Sequence, residues 1–430
     1  MSIVGYLHIE FETVQSVTIA DPERAGVLHR PMVLNNRGEV EVPPTGLVGA
    51  LRDHLESPKT HLGAERPKND QDPIAPSRLR ALGTELTRGA KPVLEADLRI
   101  RSQTAIDRTR AGAASKMLRI SQELPPGAAV ALYCEYDGEV PNGLVDELLT
   151  WQPVIGGGRT QGQGAARVVA VSTGQLDLDD AGDLAVFLSD GGPGLVRRVA
   201  GDRREAPVLS DREPFLRFEA TIEDGLFTSG GVRSETDAGA NRQLGLKDHE
   251  GKWVIEGSSL KGVLRSRIAS IASSILALQG HADPVTGGSA VADQIFGTTK
   301  KRGFLSVASS AIATTAEPAI RPHVGIDRFT GGAAPGLLFE EEVITEGSFE
   351  LRIDLLGDEA PLFTMPLLLA ACADIHAGYC GIGGKNGRGY GTVSLRPTDV
   401  LAGALPLDPT VVDLVTEAAE AVDQAEGAVA

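Results

Sequence analysis

The 430-residue chain predicts an α+β fold made of two tandem ferredoxin-like units, each ordered strand-helix-strand-strand-helix-strand, with long loops and β-hairpin insertions. Three observations predict it. A glycine-rich segment, Ile155-Gly156-Gly157-Gly158-Arg159-Thr160-Gln161-Gly162-Gln163-Gly164, returns as Ile382-Gly383-Gly384-Lys385-Asn386-Gly387-Arg388-Gly389-Tyr390-Gly391. Three further blocks recur in the same order ahead of it. Between the blocks, both halves run through the same alternation of strand-like and helix-like patterns.

The blocks carry a growing offset. Leu47-x-Gly49-x-Leu51-Arg52 matches Leu260-x-Gly262-x-Leu264-Arg265 at 213. Gly83-Thr84 with Arg88-Gly89 matches Gly297-Thr298 with Arg302-Gly303 at 214. Ile106-Asp107-Arg108 with Gly112-Ala113-Ala114 matches Ile326-Asp327-Arg328 with Gly332-Ala333-Ala334 at 220, and the glycine loops follow at 227. A period this long gives each unit enough chain for its own core.

Each unit opens on an alternating strand, at 3–14 and at 216–223, where Leu216, Phe218, Ala220 and Ile222 share one face. The first helix follows. Thr45 is placed to cap one, ahead of Leu47, Leu51 and Leu55; Ser258 or Ser259 caps the other, ahead of Leu260, Leu264 and Ile268. Two strands come next, at 92–100 and 129–136 in the first unit and at 303–308 and 348–356 in the second. The Ile-Asp-Arg block lies between them. A second helix, 144–151 or 365–377, precedes the glycine loop and a last strand. The domains are thus 1–172 and 213–400, joined by an acidic, Gly-rich linker at 173–212 and followed by an Ala/Glu-rich tail at 401–430. Residues 58–78 and 279–292 read as surface loops.

Composition sets limits. A 42% hydrophobic share supports globular cores, while 4% aromatics argues against extended base-stacking platforms. The net charge of −17 weighs against tight unaided nucleic-acid binding. Two stretches, 171–190 and 401–430, carry acids and no Lys or Arg, which leaves room for a basic groove elsewhere. Cys134, Cys372 and Cys380 lack metal spacing, and no two histidines stand four apart, so a zinc site is not expected. With no signal pattern and no 18-residue apolar run, the expectation is a cytoplasmic protein without membrane contact. The Arg, Lys, Asn and Gln interleaved with glycine in the paired loops suit a phosphate or sugar backbone.

The segment Ile255-Glu256-Gly257-Ser258-Ser259-Leu260-Lys261-Gly262-Val263-Leu264-Arg265 resembles the signature helix start of the RAMP superfamily of CRISPR-associated proteins. So do Phe296-Gly297, Ile326-Asp327-Arg328-Phe329-Thr330-Gly331 with Glu340-Glu341-Glu342 after it, and the terminal glycine loop. The resemblance runs over 214–396; the first half is more degraded, with Pro43-Pro44-Thr45-Gly46 where the second has Glu256-Gly257-Ser258-Ser259. The likeness is to the backbone subunit of type III effector complexes, as two fused copies.

That resemblance implies a protein holding CRISPR RNA and its target RNA, among other RAMP-type subunits and the large subunit of the complex. It implies guide contacts from Ser258, Ser259, Lys261, Arg265, Gly384, Lys385, Asn386 and Arg388, and from Thr45, Arg52, Arg159 and Gln161 in the first half. It also implies a β-hairpin thumb that kinks the guide–target duplex. Arg108 and Arg328 read either as RNA contacts oriented by the preceding Asp or as partners in local ion pairs. A loop carboxylate holding Mg²⁺ is the family's means of cutting target RNA. Its aligned positions here are Asn241 or Arg242, and His29; the nearest acids are Asp237, the metal-binding candidate, and Asp21. Two alternatives stay open: a non-catalytic structural RAMP subunit, and a metal-independent guide-processing endoribonuclease using a histidine such as His29 or His8.

Overall fold

The computed structural model describes residues 3–26, 28–64, 76–107, 112–208, 213–235, 241–357, 359–402 and 408–427. It divides into two compact units. The first comprises Met1–Arg101, Arg119–Arg159 and Gln163–Asp211; the second comprises Arg212–Ala430 together with Ser102–Leu118 and Thr160–Gly162.

The first unit begins with β1 (Ile3–Thr13), α1 (Pro44–His54), α2 (Pro58–Leu62), β2 (Leu79–Arg88) and β3 (Lys91–Pro92). A hairpin of β4 (Arg99–Asp107) and β5 (Gly112–Glu123) follows in the chain, its residues Ser102–Leu118 belonging to the second unit, then β6 (Ala129–Asp137), α3 (Asn142–Leu149), β7 (Ala166–Asp177), α4 (Ala181–Ser189), α5 (Gly192–Val199) and β8 (Asp202–Glu205). The antiparallel sheet has the order β3-β2-β6-β1-β7-β8. Its inner four strands carry the ferredoxin-like order. Alternation along β1 decides the faces. Leu7, Ile9 and Phe11 pack with Leu47 and Leu51 of α1 and with Leu144, Leu148 and Trp151 at α3. Tyr6 turns to the opposite face, where Leu195 and Val196 of α5 cover it.

The second unit starts with β9 (Leu216–Ile222), β10 (Ser229–Glu235), β11 (Asn241–Gly245), β12 (Val254–Ile255), α6 (Gly257–Leu278) and α7 (Pro284–Phe296). After β13 (Leu305–Val307) and β14 (Ser310–Ala311) come the hairpin β15 (Ala319–Ile326) and β16 (Ala333–Val343), then β17 (Ser348–Leu355), α8 (Thr364–His376), β18 (Val393–Arg396), α9 (Thr398–Ala402) and α10 (Pro409–Gly427). The sheet order β13-β17-β9-β18 repeats that of β2-β6-β1-β7. Phe218, Ala220 and Ile222 face Leu260, Leu264 and Ile268 of α6 and Leu367, Leu368 and Ala371 of α8.

Several expectations are corrected. The second strand of the first unit is β2, not 92–100, and α2 and α7 occupy stretches that read as loops. Residues 173–212 are not a bare linker: they finish β7 and continue as α4, α5 and β8. The acids there include a capping group, since Asp180 accepts from the backbone N–H of Gly182 and Asp183 at the start of α4. The tail helix α10 buries Val411, Val415 and Ala419 in the second core. The second repeat block also fails. Gly83 lies inside β2, whereas Gly297 closes α7 with φ +80°. The true counterpart of Gly297 is Gly63, which closes α2 at φ +70°.

Candidate nucleic-acid interface

The two glycine loops share one backbone design. Ile155 N–H donates to Gly164 O at 2.7 Å, and Ile382 N–H to Gly391 O at 2.8 Å. Gly157 N–H reaches Thr18 O at 2.8 Å, as Gly384 N–H reaches Phe227 O at 2.9 Å. Gly164 N–H bonds Ser16 O and Gly391 N–H bonds Gly225 O, both at 2.8 Å. Each loop contains a single 3₁₀ turn, Arg159–Gln161 or Asn386–Arg388. The glycines thus serve close backbone packing. Gly384, expected to meet RNA, spends its amide inside the fold, and Asn386 Nδ2 donates to Gly381 O at 2.9 Å.

In the second unit the loop's cations gather on one carboxylate. Glu341 of β16 is 0% exposed. Its Oε1 accepts from Arg388 Nη1 and lies 3.4 Å from Lys385 Nζ. Its Oε2 lies 3.1 Å from His323 Nε2 of β15. The Arg388 guanidinium sits 4.9 Å above the Phe339 ring, against which His323 also stacks. This cluster ties the loop to the base of the β15–β16 hairpin. Beyond it the hairpin is apolar and open: Val324 pairs with Leu338 and Ile326 with Ala333, and Val324, Ile326 and Leu338 are exposed. At the turn, Asp327 Oδ1 accepts from Phe329 N–H at 2.8 Å, which holds the Asp327 carboxyl below its usual range. Asp327 therefore shapes the turn, and no described ion pair joins it to Arg328. Arg328 and the fully exposed Phe329 project from the tip. Arg108, at the matching turn of the first hairpin, lies outside the described residues.

The helix starts form a separate cluster. The expected hydroxyls are not the caps: Pro43 and Glu256 hold the N-cap positions, Thr45, Ser258 and Ser259 fall in the first turn, and Gly257 N–H donates to Ser309 Oγ at 2.9 Å. Ser258 Oγ accepts from Gln103 Nε2 at 3.2 Å, both within the second unit. The backbone of Gln161 approaches the same start: a β-carbon on Gly257 would lie 2.7 Å from its carbonyl oxygen. Arg265 donates to Gly297 O at 3.0 Å and pairs with Asp293 of α7. Lys261 Nζ donates to Phe296 O at 3.1 Å, and burial, with Arg265 beside it, pushes its ammonium down to about 8. Arg52 does the same work in the first unit, donating to Leu62 O at 2.7 Å and Gly63 O at 3.0 Å. These cations satisfy carbonyls at a helix C-terminus, where positive charge is stabilising. Lys261 and Arg265 thus have partners different from those of Lys385 and Arg388.

Of the two candidate carboxylates for a magnesium site, the structure describes one. Asp21 caps a 3₁₀ turn, its Oδ1 accepting from Glu23 N–H at 3.0 Å. Asp237 lies outside the described residues. At the aligned position Arg242 pairs with Glu340 at 2.7 Å. Among the described residues no three His, Cys, Asp or Glu groups gather as metal ligands. Of the two candidate histidines, His29 Nδ1 accepts from Ile120 N–H at 3.1 Å, and His8 stacks on Tyr133, with burial lowering its pKa. Among the described residues no helix is long and apolar enough to cross a membrane.

Glu341 and His323 are the site residues that sequence reasoning misses. Period 2 along β16 is the available signal, since it separates Glu341 from Glu340 and Glu342. Comparison with protein families finds a match to the model described as the RAMP superfamily, over residues 152–394. No curated protein matches the chain.

Proposed function

The chain belongs to the RAMP superfamily, whose match spans residues 152–394, and from that membership, which carries a CRISPR-associated RNA-binding role, we propose that it is a guide-holding backbone subunit of a type III-like interference complex. It consists of two fused RAMP domains, a reading supported by the equal strand orders and the equal hydrogen bonding of the two glycine loops. Its partners are CRISPR RNA, target RNA, other RAMP-type subunits and the large subunit, in the cytoplasm.

One observation carries the proposal. Lys385 and Arg388 stand at the base of a hairpin whose tip offers Arg328, Phe329 and Ile326 to solvent. Cations suit the phosphates, and an exposed aromatic on a two-stranded ribbon suits unstacked bases. The acidic remainder of the chain supports weak binding alone and firm binding within the assembly.

The scaffold reading is favoured over a nuclease, because Asp21 already caps a turn and Arg242, at the aligned position, pairs with Glu340. Isolation of the complex from its host tests both parts. Short RNAs of uniform length should copurify, and a complementary target RNA should stay intact when Mg²⁺ is added. Absence of such RNAs would remove the functional assignment. A cut opposite the second unit that Asp237→Ala abolishes would replace the scaffold with an enzyme.

A further inference from the structure

Two buried glutamates sit at the bases of the two hairpins, and their partners differ. In the first unit Glu123 of β5 receives Arg101 Nη1 of β4 at 2.7 Å and Gln163 Nε2 from the glycine loop at 2.6 Å. All three side chains are buried. Here a cation and an amide share the carboxylate. In the second unit Glu341 faces a histidine on the neighbouring strand and takes two cations, not an amide, from the loop. Lys385 and Arg388 outnumber the carboxylate by one charge. Their side chains remain 32% and 37% exposed, while Glu341 is wholly covered.

This geometry leaves positive charge at the surface, pinned from below. The carboxylate holds one edge of Arg388, and the Phe339 ring fixes its plane. The remaining N–H groups of a guanidinium held this way can meet a phosphate without first losing rotamer freedom. Lys385 adds a point charge from a left-handed backbone position, φ +62°, that the loop imposes.

We propose that Glu341 is a positioning residue that presents Lys385 and Arg388 as one preset pair to an RNA phosphodiester, and that the Glu123 cluster is a closed latch without that role. The inference rests on the reading of this loop as an RNA contact.

The test uses the full-length chain, a mixed-sequence single-stranded RNA, and a thermal melt of each variant. Glu341→Gln should lower RNA affinity about tenfold, and should cost nothing further when Lys385→Ala and Arg388→Ala are already present. Glu123→Gln should lower the melting temperature and leave RNA affinity unchanged. An equal loss from Glu341→Gln in both backgrounds would make its role structural and overturn the proposal. A gain in affinity would also overturn it, by showing that the carboxylate only subtracts charge. Should Glu341→Gln not fold, Arg388→Lys keeps the charge but not the fixed fork: the proposal expects reduced affinity, and unchanged affinity refutes it. If the Lys385→Ala, Arg388→Ala chain binds RNA normally, the loop itself is no RNA contact, a failure distinguishable from that of Glu341 alone.

Discussion

Replacing Lys385 and Arg388 together with Ala is expected to weaken RNA binding by about a hundredfold, uniformly across RNA sequences. Each side chain offers a charge-assisted hydrogen bond, worth roughly 1.5–3 kcal/mol, and about 1.4 kcal/mol is tenfold in affinity. Phosphate contacts position a nucleic acid without reading it, so the loss should not depend on sequence. On a single strand, the salt dependence should flatten by about 0.7 of a log–log slope unit for each phosphate the protein no longer neutralises. Lys261→Ala is the comparison variant, because its ammonium already serves Phe296 O. It should leave the salt slope where it is. Titrations at several ionic strengths check both statements; a flat response to the double substitution places the grip elsewhere.

Gly391→Val is expected to cost on the order of 3 kcal/mol or more and to lower the unfolding midpoint by about 10 °C. Gly391 has φ +97°, and an added β-carbon would stand 2.2 Å from Ile382 O and 2.9 Å from Asn386 Oδ1. Backbone cannot yield there, because Ile382 N–H and Gly391 O form the bond that closes the loop. Gly164, at φ +89° and 2.2 Å from Ile155 O, is bound by the same geometry in the first unit. Gly387 lies in the same loop with open space around it, so Gly387→Ala should melt like the unaltered protein. Calorimetry on Gly391→Val, Gly164→Val and Gly387→Ala separates close backbone approach from mere glycine content.

The contrast between these glycines shows what is legible in the chain. The glycine loops are readable because their constraint is local: positive φ and close approach of a neighbouring backbone demand glycine at fixed spacing, and the spacing repeats. The turn of the second hairpin is readable for a similar reason, since Asp327 builds it from its own neighbours. The first-helix pattern Leu-x-Gly-x-Leu-Arg falls on α1 and α6 as expected, but its Arg has a different partner. Arg52 and Arg265 bond carbonyls at the ends of α2 and α7, and both of those helices read as loops. α2 is five residues long and α7 thirteen, so the chain length between Arg and glycine differs and hides Gly63 behind the wrong offset. Residues 173–212 mislead through composition: an aspartate capping a short helix reads as solvated linker, although Leu195, Val196 and Val199 form an apolar stripe. Glu341 is out of reach for another reason. It meets Arg388 across 47 positions of sequence, and only the folded hairpin brings them together.

The most direct test of the central claim is ultraviolet crosslinking of the assembled complex to its guide RNA, with the attached peptides sequenced by mass spectrometry. Crosslinks are expected on the loop from Ile382 to Gly391 and on the β15–β16 turn around Phe329, reduced by the Lys385→Ala, Arg388→Ala substitution. Crosslinks that fall only on other segments, and persist unchanged in that variant, would contradict it.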